Sequence, residues 1–256
     1  MLQRFFIQRF IRQARPSVMH TSNSTYSALL HHHRMPAVEL GLFGTIPIAP
    51  ESNPAWIESH LHSSLGGDFR REAVWLFGFF GSLHPQWPPE PLLTRLHQAA
   101  HAAGKRPVLL SVGRTGKAGA ELWNRMVQDY AADFTFVRLG ELPVNQVSEY
   151  LSYLDFGIAT TPLSIIGKSS TVSSMLEHGL PVIVNRDDSA SLAMAPDEAE
   201  PLLIRCDPHL EVRLQAGVSK GARGSRRPVV ARKFLLSLGQ ASPSSTAEHP
   251  LAQSVS

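Results

Sequence analysis

The segment of residues 165–185 constrains the fold most, because it predicts a helix, a stop and a buried strand in direct succession. Apolar residues at i, i+3 and i+4 spacing predict the helix: Val172, Met175 and Leu176. Gly179 stands where a helix ends in the left-handed conformation, and Pro181 leads into an apolar run at 182–184. A helix that returns the chain directly to a buried strand is typical of an α/β protein.

The residues at the start of this helix are suited to binding an anion. Lys168, Ser169, Ser170 and Thr171 supply a cation, hydroxyls and backbone N–H groups at a helix N-terminus, where the partial positive charge attracts phosphate. Residues 155–160 predict another buried strand immediately upstream. An anion site at the carboxyl end of a strand in an open α/β sheet is the usual place to hold a nucleotide.

A phosphate loop of the G-x-x-x-x-G-K-S/T type is one interpretation of these residues. Gly167, Lys168 and Ser169 match its second half. Pro162 stands where the first glycine belongs, and its ring cannot adopt the positive φ that such a loop uses. The pattern therefore disfavours a nucleoside triphosphatase of that kind.

A resemblance to a known family is the other interpretation. The matching segments are FGFFGS at 77–82, LLSVGR at 109–114, RLGELP at 138–143 and MLEHGLPV at 175–182. In this order, from about Trp75 to Asp188, the chain resembles the C-terminal, donor-binding domain of GT-B glycosyltransferases, the group that includes sucrose, trehalose and lipopolysaccharide synthases. The resemblance implies transfer of a sugar from a nucleotide-sugar to an acceptor in a cleft between two α/β domains.

The chain departs from that group at two positions. Many members of the group carry two glutamates eight positions apart, the second of them five residues before the glycine that ends the helix. Ser174 and Ile166 occupy those positions here, and Glu177 lies in a different register. The run from Lys168 to Thr171 resembles instead a variant in which a basic residue and small hydroxyl residues hold the donor diphosphate. The stereochemistry of transfer is not carried over, and no catalytic residue is assigned, because the acceptor-activating base would come from the other domain.

The order of predicted elements gives the fold class. Strands are predicted at 73–79, 107–112, 134–139 and 155–160, with helices between them at 90–103, 118–130 and 144–154. Strands that alternate with helices imply a Rossmann-like parallel sheet with helices on both faces. A shorter strand-helix-strand pattern within 17–43 predicts part of a second α/β domain in front of it.

Six further candidate residues follow the ends of the predicted strands: Gly81, Ser82, His84, Arg114, Gly140 and Glu141. A glycine turn lets backbone amides approach a diphosphate closely, and an arginine can pair with phosphate through two hydrogen bonds. His84 could donate a hydrogen bond to the donor. The resemblance implies that Glu141 accepts a hydrogen bond from a ribose hydroxyl.

We expect this site to use neither a metal ion nor a cofactor besides the nucleotide-sugar substrate. Cations and N–H donors can stabilise a departing diphosphate electrostatically. The chain has no Asp-x-Asp pair, and the adjacent Asp187 and Asp188 predict a cap of the next turn.

Chain length predicts the domain organisation. With 256 residues the chain is too short for two full domains, so we expect a truncated GT-B protein. The predicted parts are a residual N-terminal acceptor-side domain at 1–50, a linker at 51–72, a donor-binding domain at 73–238 and a disordered tail at 239–256. Such a chain is either a glycosyltransferase or a non-catalytic nucleotide-binding remnant of one.

The N-terminal stretch of residues 1–16 has no acidic residue and carries four arginines: Arg4, Arg9, Arg12 and Arg15. It is too short to span a bilayer, and it fits a helix of the residual domain, a mitochondrial-type presequence or a basic helix lying on an anionic membrane. The single Cys206 excludes an internal disulfide and fits a reducing compartment. We favour the helix of the residual domain and expect a cytoplasmic protein with no nucleic-acid partner; peripheral membrane contact through this basic helix is the open alternative.

Overall fold

The computed structural model describes residues 5, 6, 9, 10, 13, 18–22, 24–32, 37–50, 53–66, 69–186 and 201–239. The predictions for Arg4, Arg12, Arg15, Asp187, Asp188 and the tail at 240–256 therefore lie outside the described residues.

A small β-α-β unit precedes the main sheet. Strand β1 (His20–Thr21) and strand β2 (Val38–Glu39) pair in parallel, with His20 opposite Val38, and helix α1 (Ser24–His32) connects them. Helix α2 (Ala55–Leu65) follows. The strand-helix-strand order predicted within 17–43 is therefore present.

The main sheet contains six parallel strands: β3 (Val74–Phe80), β4 (Arg106–Val112), β5 (Thr135–Gly140), β6 (Phe156–Ala159), β7 (Val182–Val184) and β8 (Leu203–Arg205). Its helices are α3 (Leu92–Ala102), α4 (Lys117–Tyr130), α5 (Val144–Tyr153), α6 (Ser170–Glu177), α7 (Leu210–Gln215) and α8 (Arg227–Gly239), with short 3-10 turns at Arg71–Ala73 and Leu163–Lys168.

Successive residues of the central strand β3 face opposite layers of helices. Leu76 packs with side chains of α2, α5 and α6, whereas Phe77 packs with side chains of α3, α4 and α7. Both side chains are fully buried. Because a strand alternates its side chains between the two faces of a sheet, this sheet is covered on both sides. The predicted fold class, a Rossmann-like parallel sheet with helices on both faces, is confirmed.

The strand order is β5-β4-β3-β6-β7-β8, so the sheet grows outward in opposite directions from β3 and β6. The loops that leave the carboxyl ends of these two strands diverge, which opens a crevice between them. The glycine turn at Gly81 follows β3, and the loop that leads to α6 follows β6.

The segment after β2 is hydrogen-bonded to the main domain. The N–H of Gly44 donates to Glu177 Oε1 at 2.9 Å, that of Thr45 to Ser174 Oγ at 3.0 Å, and that of Ala49 to Ser148 Oγ at 2.8 Å. The β-α-β unit is therefore tied to helices α5 and α6.

Within the described ranges, no helix is both long enough and apolar enough to cross a membrane.

Candidate functional site

Helix α6 begins with a capped first turn. The Ser169 hydroxyl accepts a hydrogen bond from the N–H of Val172 at 3.3 Å, and Ser169 is only 8% exposed. A helix leaves its first N–H groups without intrahelical acceptors. Since the cap takes the N–H of Val172, those of Ser170 and Thr171 are the first-turn donors that remain for an anion.

A chain of hydroxyl groups surrounds this turn. Thr161 Oγ1 donates to Ser169 Oγ at 3.2 Å, and Ser169 Oγ lies 2.9 Å from Thr171 Oγ1. Because Ser169 Oγ already accepts two hydrogen bonds, its own proton points to Thr171. The Thr171 proton is therefore the donor at the end of this chain that a ligand can use. The sequence predictions missed Thr161, although its place just after β6 could have indicated it.

Gly81 brings the end of β3 against the start of α6. Its φ is +87°, and a Cβ atom added there would lie 2.8 Å from Thr171 Cγ2. Thr160 Oγ1 donates to the carbonyl of Ser82 at 3.4 Å, which joins the two loops of the crevice. The structure thus brings together four of the predicted residues, namely Gly81, Ser82, Ser169 and Thr171. The N–H of Gly81 is bonded to the carbonyl of Val112 at 2.9 Å, so this amide does not face a ligand.

Three neighbouring strands end in a glycine with positive φ: Gly81, Gly113 and Gly140. The N–H of Gly113 donates to the carbonyl of Gly140 at 2.8 Å, and a Cβ on Gly113 would lie 2.9 Å from Gly81 Cα. These three residues, which we call the glycine shelf, present backbone without side chains at the carboxyl edge of the sheet. Gly113 was not among the predicted site residues, although its position just before Arg114 could have suggested it.

Arg114 and Glu141, predicted separately, form an ion pair with each other. Arg114 Nε and Nη2 each donate to the carboxylate of Glu141 at 3.1 Å. The hydrogen bonds and the opposite charge raise the pKa of Arg114 and lower the pKa of Glu141. Both side chains are exposed, beside the glycine shelf. The positive charge of Arg114 is thus partly neutralised by Glu141, which weakens its attraction for a phosphate group.

His84 and Lys168 have different neighbours. His84 Nδ1 accepts from the N–H of Gln86 at 3.2 Å, and it lies 3.5 Å from Arg186 Nη1, which follows β7. Lys168 ends the 3-10 turn before α6, and its Nζ lies 3.4 Å from the centroid of the Tyr26 ring on α1. The lysine therefore faces the β-α-β unit from the start of α6.

Residues near the glutamate positions of the resembling family have structural partners. Ser174 is fully buried, donates to the carbonyl of Ser170 at 2.9 Å and accepts from Thr45. Glu177 is 3% exposed and accepts from the N–H groups of Gly44 and Arg226. Neither side chain is directed to a ligand.

A separate cavity of about 370 Å³ lies between the loop after β3 and helix α4. Trp87, Met126 and Tyr130 are among its lining residues, and none of the predicted site residues lines it. This cavity is therefore separate from the crevice at the start of α6.

No family model matches the chain, and no curated protein does. Solved structures of GT-B glycosyltransferases do match it, the group that the sequence motifs resemble.

Three of these structures illustrate the likeness. Sucrose-phosphate synthase from Thermosynechococcus elongatus is 16% identical, with 87% of this chain and 51% of that chain covered and a TM-score of 0.47. The catalytic domain of starch synthase IV from Arabidopsis thaliana, bound to ADP and acarbose, is 15% identical, with coverages of 88% and 56% and a TM-score of 0.47. HepE from Anabaena, in complex with UDP and glucose, is 15% identical, with coverages of 78% and 52% and a TM-score of 0.46. The chain spans about half the length of these enzymes.

Proposed function

We propose that this chain binds the diphosphate of a nucleotide-sugar at the start of α6 and supplies the donor site for glycosyl transfer to an acceptor. One observation carries the proposal: the first turn of α6 lies against Gly81 through the Thr171 methyl group, at the point where the strand order reverses. A helix N-terminus in that crevice is suited to a phosphate group through its N–H donors and its dipole.

The chemistry proposed for the site is electrostatic. Departure of a nucleoside diphosphate leaves negative charge on its phosphate oxygens, and donors fixed in advance stabilise that charge. The N–H groups of Ser170 and Thr171 and the Thr171 hydroxyl would donate to the oxygens, and Lys168 would add a positive charge beside them. The proposal therefore needs no metal ion for the diphosphate.

The glycine shelf is the proposed place for the nucleoside. Gly140 has open space where a side chain would stand, so a ring can approach the backbone there. The carboxylate of Glu141, held by Arg114, would accept a hydrogen bond from a ribose hydroxyl. Ser169 supports the site through its cap, and His84, in the loop after β3, would be a further donor-side contact.

A second function, nucleotide binding without transfer, is favoured by a specific observation. The positions of the two family glutamates hold Ser174 and Ile166, and the nearby Glu177 is bonded to backbone N–H groups. If transfer needs an acidic group at one of these positions, the site would bind a donor and leave it intact. The acceptor, a cytoplasmic location and membrane contact through the N-terminal stretch stay predictions.

Calorimetric titration of the whole chain tests diphosphate binding. UDP and ADP are tried first because they are bound in two of the solved neighbours. We expect Lys168→Ala and Thr171→Val each to weaken binding by about 1.5 to 3 kcal/mol, the range for one hydrogen bond to a charged group, which is roughly a ten- to 150-fold loss of affinity. Lys233→Ala, at an exposed lysine of α8, is the control and should bind like the wild type.

Binding that is equally tight in Lys168→Ala, Thr171→Val and the control would remove the assigned phosphate site. If the wild type binds a nucleotide-sugar, the fate of the sugar separates the two functions. Release of nucleoside diphosphate with a sugar-bearing product supports transfer, whereas bound donor that stays intact with every acceptor supports the binding module.

A further inference from the structure

We infer that Tyr26 is a positioning residue for this site, whose ring holds the Lys168 ammonium in place for a ligand phosphate. The inference rests on the proposed function, since that function gives the lysine its ligand. Lys168 Nζ lies 3.4 Å from the centroid of the Tyr26 ring. This distance is well inside the range of about 6 Å over which an aromatic ring attracts a cation.

The ring holds the lysine without neutralising it. An aromatic face attracts a cation through its quadrupole. The ring itself is uncharged, so it does not cancel the positive charge of the lysine as a carboxylate would. An ammonium group has three N–H donors, so those that point away from the ring stay available to phosphate oxygens. Arg114 shows the contrast, because the carboxylate of Glu141 offsets its charge. Of the two predicted cations, Lys168 is therefore the one that retains a net charge for an anion.

Holding the side chain before the ligand arrives also lowers the entropic cost of binding. A free lysine side chain has many rotamers, and ordering it on binding reduces affinity. Here the Lys168 side chain is already ordered in the folded protein, because the lysine and the Tyr26 ring lie on elements that are fixed to each other.

The position of Tyr26 is fixed through the backbone of the β-α-β unit. Helix α1 lies between β1 and β2, and the segment after β2 is bonded to α6 itself through Gly44 and Glu177. The element that carries Tyr26 and the helix that carries the proposed phosphate site are thus parts of one hydrogen-bonded arrangement.

UDP affinity of the full chain, measured by calorimetry, tests the inference. We expect Tyr26→Ala to weaken UDP binding about two- to fivefold, as for loss of a partly exposed cation–π contact. Tyr26→Phe keeps the ring and should rescue the affinity to within about twofold of the wild type. In a Lys168→Met background, Tyr26→Ala should have no further effect, whereas a purely structural role would weaken binding in both backgrounds. Unchanged or tighter binding by Tyr26→Ala, or an equal loss in the Lys168→Met background, would overturn the inference.

A measurement without ligand separates this inference from the proposed function. The protons next to Nζ of Lys168 lie over an aromatic ring and should show an upfield ring-current shift in NMR spectra, present in the wild type and Tyr26→Phe and lost in Tyr26→Ala. A wild type that shows the shift but binds no nucleotide contradicts the proposed function and, with it, the ligand assigned to Lys168. A wild type that binds UDP without the shift contradicts the role of Tyr26 alone.

Discussion

Gly81 meets two separate constraints at one position. Its φ of +87° lies in the left-handed region, and a Cβ atom there would approach Thr171 Cγ2 to 2.8 Å. A side chain costs about 1–2 kcal/mol in that backbone conformation, and a contact this short requires the threonine to move as well. Gly140 meets only the first constraint, since its φ is +73° and nothing lies within 4 Å of an added Cβ.

We therefore expect Gly81→Ala to lower the free energy of unfolding by more than Gly140→Ala does, with the common backbone part at about 1–2 kcal/mol. Urea denaturation of both variants gives the difference. Adding Thr171→Ser to Gly81→Ala removes the methyl group that clashes, so part of the loss should return. Equal losses for the two glycine variants would show that the contact with Thr171 does not constrain the turn.

Single residues of the site could be predicted from sequence where a suitable residue type stands at the predicted end of a strand or start of a helix. Gly81 and Thr171 stand at a strand end and a helix start that the pattern indicates, and the structure brings them together. The pair of Arg114 and Glu141 could not be predicted, because it depends on β4 and β5 being neighbours, which spacing along the chain does not give. The contact between Lys168 and Tyr26 depends in the same way on how α1 is placed.

Helix α6 ends in a buried histidine that joins three elements. His178 is 1% exposed, its Nδ1 donates to the carbonyl of Ser174 at 2.7 Å, and its Nε2 is hydrogen-bonded to the Ser148 hydroxyl at 2.9 Å. Ser148 Oγ in turn accepts from the N–H of Ala49 at 2.8 Å. Nε2 accepts a hydrogen bond from the Ser148 hydroxyl when the imidazole is neutral, and burial favours that neutral form. Burial accordingly lowers the pKa of His178, and the positive charge of Arg223 acts in the same direction.

The lowered pKa of His178 predicts a dependence of stability on pH. In the unfolded chain this group titrates near its ordinary value of 6.5, so below that pH the unfolded state binds the proton more readily than the folded state. The stability it contributes is complete above about pH 6.5 and is lost as the pH falls towards its lower folded-state pKa. We expect the free energy of unfolding, measured in urea, to fall between about pH 7.5 and 5.5, and to fall less in His178→Gln.

A histidine that is exposed on α2 gives the matched control. His60→Gln also removes one histidine, but an exposed one, and it leaves His178 in place. This variant should therefore retain the wild-type dependence of stability on pH. An acid-induced loss in His178→Gln as large as in the wild type would show that His178 is not its source.

At the level of helices and strands, glycine and proline residues mark where elements end, and this made the order of strands and helices in the main domain predictable. The strand predicted at 155–160 is β6 (Phe156–Ala159), and the helix predicted at 144–154 is α5 (Val144–Tyr153). The packing of helix α2 against the main sheet could not be predicted. Ile57 and Leu61 are fully buried in the same cluster as Leu76 of β3, within the stretch predicted as a linker. An amphipathic pattern shows that a helix buries one face, but not which element covers it. The domain limits stay a prediction.

Over the whole molecule, Glu177 links segments that precede and follow the main sheet. One carboxylate oxygen accepts from the N–H of Gly44 at 2.9 Å and from the N–H of Arg226 at 3.0 Å, just before α8. Helix α8 also contacts the first strand, since Ser237 Oγ lies 2.8 Å from His20 Nε2. The β-α-β unit, the sheet and α8 are thus connected to one another in a closed set of contacts.

This closed arrangement predicts that loss of the Glu177 carboxylate loosens both segments together. Glu177→Ala leaves two N–H groups without their acceptor, and we expect a loss of about 3 kcal/mol in the free energy of unfolding. Glu177→Gln keeps a carbonyl oxygen that can accept both hydrogen bonds, so its loss should be smaller. Hydrogen exchange should accelerate at the amides of Gly44 and Arg226 alike in Glu177→Ala, and at neither amide in Glu121→Ala, where the residue is exposed on α4. Faster exchange at Arg226 with unchanged exchange at Gly44 would contradict the shared role, because a single oxygen that holds both segments cannot be removed from one of them alone.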